Sequence, residues 1–148
     1  CLGARRYAER CLARRERIDA FLVMDMIGWN PGRPPGAFQL NEGEAPESGR
    51  LSGLALAAHR TLAIRESVPL PIVRSRFDLR SYLYNTDGVI FSDLGIPTLL
   101  FNERINRLEN FSRQGNHDAF DTPASIDFAQ ACAVARIALM TALAVAGE

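Results

Sequence analysis

The sequence predicts an α/β layered fold. Stretches in helical register alternate with short apolar runs, and Gly or Pro punctuates the joins between them. The length of 148 residues fits one ordinary domain, with 47% hydrophobic residues to fill a core and 23% charged residues to cover it.

Residues 2–20, rich in Arg, Ala, Leu and Glu, predict a first helix. Its arginines (Arg5, Arg6, Arg10, Arg14, Arg15 and Arg17) read as a solvated helix face. Residues 21–27 form an apolar strand ended by Gly28, with one acid, Asp25, inside it. Residues 29–49 carry four prolines and four glycines and predict a long surface excursion, with at most a short strand at 38–40. Ser48 is placed to cap a helix running to about residue 66, with Leu51, Leu54, Ala55, Ala58 and Leu62 on one face. Pro69 and Pro71 close that unit, and Ile72 and Val73 suggest a short strand. A loop to Asp87, a short helix near 89–94 with Gly95 just past its end, and a strand at 98–101 follow. A polar loop over 104–120 and a last helix from Asp127 to about residue 145 complete the chain.

Lys plus Arg equals Asp plus Glu at 17 each, a balance that argues against nucleic acid or an anionic membrane as the main partner. Cys1, Cys11 and Cys132 form no CxxC and leave one thiol over from any single pairing, so a disulfide scaffold is not expected. No unbroken apolar run approaches the ~18 residues of a membrane span. The stretch 128–145, interrupted by Gln130 and Arg136, reads as a buried helix. The chain opens in helical register without an initiator Met or targeting segment, so a processed precursor or a longer polypeptide is expected.

Chemistry is expected at the carboxyl ends of strands, where open α/β sheets bind ligands. Asp25 lies near the end of its strand, with Met26 beside it. Asp87 precedes a short helix, and Glu103 follows the 98–101 strand. His117, Asp118 and Asp121 come from the polar loop. Carboxylates and an imidazole converging on one rim would suit zinc, and an acid four residues after His117 is placed to hold that ring or its loop. Each also has a plain reading. Asp25 is then a buried acid satisfied by backbone N–H groups, His117 a surface residue, Asp121 and Thr122 a turn into the last helix, and His59 a structural or exposed residue.

Three phrases in order, VMDMIG, NTDGVIFSDLGIPTLLFNE and NHDAFDTPASIDF, resemble the C-terminal half of the M28 family of zinc aminopeptidases. The likeness runs from Cys1 to the last helix. It implies a layered α/β/α domain with a mixed, mostly parallel sheet, of which residues 1–148 form the C-terminal part or a single partial domain. It also implies that Asp25 and His117 ligate a two-zinc site and that Asp121 and Thr122 support the histidine. Met26, Asp87 and Glu103 are substrate-pocket candidates, and loops 29–49 and 104–116 are candidate pocket walls.

Departures accompany the likeness. Gly88 stands where the family often has a histidine after Ser-Asp, and Asp118 where it has Thr after the ligating histidine. No His-x-Asp and no Glu-Glu pair occurs in the chain, so the remaining ligands and the general base are expected ahead of Cys1. The implied function is part of a zinc-dependent aminopeptidase hydrolysing N-terminal peptide bonds by metal-activated water. The isolated chain is expected to be inactive and to bind zinc weakly if at all. The alternative is a non-catalytic binding or scaffold domain derived from the peptidase fold. Peptide substrate is the expected partner of the complete protein, and an exposed sheet edge is expected to favour self-association.

Overall fold

The computed structural model describes residues 1–29, 36–103 and 119–147. Four strands among them form one mixed sheet in the order β1 (Phe21–Met24), β4 (Thr98–Glu103), β2 (Ala37–Glu42), β3 (Leu70–Arg74). β1 pairs with β4 and β2 with β3 in parallel, whereas β2 and β4 are antiparallel. The mixed, mostly parallel sheet is thus the one expected.

Strand alternation splits the sheet into two faces. Phe38 and Leu40 of β2 and Leu99 and Phe101 of β4 pack with α2 (Ser48–Ala63) and α4 (Phe128–Ala146) around Leu51, Ala55, Val134 and Ile137. On the other face Phe21 stacks on Phe91 of α3 (Gly88–Asp93), at 3.5 Å between ring centroids. α1 (Leu2–Arg14) lies outside α3, with Tyr7 also against Phe91.

Several boundaries differ from the sequence expectation. α1 stops at Arg14 because Arg15 turns left-handed (φ 54°), and the Glu16 N–H closes back on the Cys11 carbonyl at 2.9 Å. Ser48 is the first residue of α2 rather than a side-chain cap; its hydroxyl instead accepts the Thr98 N–H at 3.1 Å. Gly95 takes the expected place after α3 at φ 73°, and the Ile96 and Gly95 N–H groups close a Schellman pair on Phe91 and Ser92. Asp127 caps α4 through the Gln130 N–H at 2.9 Å. β2 is the largest revision: a six-residue inner strand stands where a three-residue one was expected.

By length and composition α4 is long and apolar enough to cross a membrane, because Gln130 and Arg136 interrupt it too little to lower its mean hydropathy below 1.8. Here Ala133, Val134, Ile137 and Ala138 are in the core. His59 is structural, its Nε2 3.1 Å from the Pro69 carbonyl oxygen. All three cysteines are free thiols.

Candidate active site at the carboxyl ends of β1 and β4

Because β1 and β4 are parallel, their carboxyl ends share one rim. A cavity of about 620 Å³ opens there. Asp25, Glu103 and Asp121 give it an acidic side, and Met26, Ile27, Ile126 and Phe128 an apolar one. Tyr82 and Asn85 line it from the single helical turn Leu83–Asn85 and the residue before it, with Asn85 Nδ2 donating to Tyr82 Oη at 2.8 Å. Three carboxylates around one opening set up a negative field that favours a cation or an amine.

Asp25 is half-buried just past β1, its N–H donating to the Phe101 carbonyl at 3.2 Å. Met26 lines the cavity in a left-handed conformation (φ 51°), uncommon for a side chain of its size. Glu103 lies inside β4 rather than after it and is 0% exposed, with Oε2 accepting the Trp29 N–H at 2.7 Å. Asp121 is exposed on the cavity wall. Thr122 is exposed and outside that wall; its carbonyl accepts the Ser125 N–H at 2.9 Å and Ser125 Oγ at 2.7 Å, building the turn that leads to α4. Asp87 also lies outside it, exposed, with Oδ1 3.3 Å from the main-chain nitrogen of Cys1. His117 and Asp118 fall outside the described residues, as does the whole of the pocket wall expected from loop 104–116.

Four of the candidates, Asp25, Met26, Glu103 and Asp121, therefore share one cavity. Tyr82, Asn85, Ile126 and Phe128 were not singled out beforehand. A signal for the last two existed, since the Asp127 cap places the start of α4 and its flanking apolar residues at this rim.

A model of peptidase family M28 matches residues 1–142. The chain belongs to that family. Two solved structures of LapA from Legionella pneumophila, one of them described as an aminopeptidase, share its fold with TM-scores of 0.76 and 0.73. Each is 14% identical to this chain and is matched over 99% of it. The chain spans only 37% and 36% of those two structures. No curated protein matches it.

The family is generally zinc-dependent, which sets a test for the donors at this rim. Among the described residues no three His, Cys, Asp or Glu side chains stand close enough together to hold a metal ion. Glu103, the most buried of the cavity acids, is engaged with the Trp29 N–H. The described residues thus do not make up a zinc centre by themselves.

Proposed function

We propose that this chain forms one wall of a zinc aminopeptidase active site, in a polypeptide that hydrolyses N-terminal peptide bonds by metal-activated water. Asp25 and His117 are two of the ligands in this reading, and Asp121 and Thr122 support the histidine loop. The general base and the other donors come from residues outside this chain. One observation carries the reading: in an M28 chain, Asp25 stands at the shared carboxyl end of two parallel strands, on a cavity with acidic and apolar sides. The acidic side suits a cation and the amino group of a free N-terminus. The apolar side, with Met26, Ile126 and Phe128, suits burial of the first side chain.

The lack of a three-donor cluster among the described residues is what a scaffold domain derived from the peptidase fold would also show. Assay of aminoacyl substrates separates the two. The polypeptide that carries this chain is expected to release N-terminal residues, to lose that activity to a chelator and regain it with zinc, and to lose it in Asp25→Asn. The isolated 148-residue chain is expected to release none. Zinc-loaded polypeptide that binds peptides but never cleaves them would overturn the peptidase reading in favour of the scaffold. Metal-dependent release by the isolated chain would overturn its incompleteness.

A further inference from the structure

Beyond Met24 the β1–β4 ladder continues for one more bond, from the Asp25 N–H to the Phe101 carbonyl. In an unbroken parallel ladder the Glu103 N–H would next reach the Asp25 carbonyl. It reaches the Met26 carbonyl instead, at 2.8 Å. One residue is therefore extra on the β1 side, a bulge made by the left-handed Met26. Such bulges re-aim the side chain next to them, and a left-handed backbone at a residue other than glycine persists only where its surroundings hold it.

Glu103 grips that turn at both ends. Its main-chain N–H holds Met26, and its side-chain Oε2, fully buried, accepts the Trp29 N–H at 2.7 Å. An ionised acceptor strengthens such a bond, which offsets part of the cost of burying the carboxylate. From α4 and its cap, Gln130 Nε2 donates to the Trp29 carbonyl at 2.9 Å and the Asp127 N–H to the Gly28 carbonyl at 2.7 Å. The turn is clamped between the end of β4 and the start of α4.

We propose that Glu103 is a positioning residue: it keeps the Met26–Trp29 turn in its bulged form and thereby aims Asp25 into the cavity. Only the link to catalysis rests on the peptidase reading; the clamp itself does not.

Trp29 is the single tryptophan, so selective labelling with ¹⁵N-tryptophan yields one main-chain amide, the one Glu103 holds. Glu103→Ala is expected to speed exchange of that amide about tenfold or more while β2 amides keep their protection, and Glu103→Gln, which retains an acceptor, to recover most of it. Met26→Gly removes the left-handed penalty, so Glu103→Ala is expected to cost less in that background; the pair also serves if the single variant does not fold. Unchanged Trp29 exchange in Glu103→Ala, or equal acceleration throughout β2, would overturn the proposal. In the polypeptide that carries this chain, Glu103→Ala is expected to lower kcat with little change in KM, partly rescued by Gln. A loosened Trp29 amide with unchanged kcat would sink the positioning role. A wild-type polypeptide without hydrolysis would count against the peptidase reading, and the amide exchange would still decide the clamp.

Discussion

Leu83 occupies the space where a side chain on Gly88 would begin: a β-carbon there would stand 2.5 Å from Leu83 Cδ1, with Thr86 Oγ1 at 3.2 Å and Val23 Cγ2 at 3.3 Å. The departure from the family's Ser-Asp-His phrase is therefore built into the packing. Leu83 is fully buried and cannot swing into solvent. Gly88→Ala is expected to destabilise the chain by about 1–3 kcal/mol through overpacking. In the Leu83→Ala background the same substitution should cost less, because the new methyl group enters vacated space. Urea unfolding of the four proteins measures both, and additive costs would show that the two sites do not compete.

Asp78 offers a pH handle on the loop that follows β3. Arg80 bonds its carboxylate through Nε at 3.1 Å, Nη2 at 3.2 Å and its own N–H at 2.9 Å, and Arg74 Nη1 stands 3.8 Å away. The hydrogen bond from Arg80 holds the Asp78 carboxyl below its ordinary 3.8. A pKa lowered by folding adds stability above the unfolded value, and that stability is lost as the pH falls through the folded value. Asp78→Asn is expected to cost about 1 kcal/mol at pH 7, a modest figure because Arg80 is half exposed. The gap between variant and wild type should close as the pH drops below 3.8. A gap in urea midpoint that persists unchanged in acid would contradict this.

The β2 strand shows what pattern reading can and cannot recover. Gln39 and Asn41 break its apolar signal, yet both are fully buried. Gln39 donates to the Glu103 carbonyl at 3.1 Å and accepts from Arg74 Nε at 2.8 Å. Asn41 donates to Asn102 Oδ1 at 2.8 Å and accepts the Tyr82 N–H at 3.1 Å. Partners 35 to 64 residues away satisfy these amides, and no local window reveals them. Phe38 and Leu40, by contrast, announced the part of the strand that faces the helices. The site divides in the same way. Asp25 was legible because an acid in an apolar strand demands a reason, whereas the bulge at Met26 was not, because it depends on which carbonyl Glu103 chooses across the sheet.

The thiols should divide by burial. Cys1 and Cys132 are exposed, whereas Cys11 is buried against α3's side of the fold with Tyr7 beside it, whose phenol is held above its ordinary value by its hydrogen bond to Cys11. An aromatic disulfide reagent is expected to titrate two thiols quickly in the native protein and the third only on unfolding. Three fast thiols would mean that α1 opens readily.

The two sheet edges are unequal. β3 carries Pro71, whose missing N–H is usual on an edge strand. β1 has no strand on its outer side among the described residues, and its sequence, Phe21-Leu22-Val23-Met24, holds neither charge nor proline to discourage pairing. We propose that copies of this chain pair along that edge. Sedimentation velocity is then expected to show an average mass that rises with concentration. Met24, 54% exposed at the end of β1, is the place to blunt the edge with little harm to the core. Met24→Lys should shift the profile toward monomer while leaving the urea midpoint nearly unchanged. A wild-type profile that stays monomeric as concentration rises would rule the edge out as a contact, and Met24→Lys assembling as readily as wild type would move the contact elsewhere.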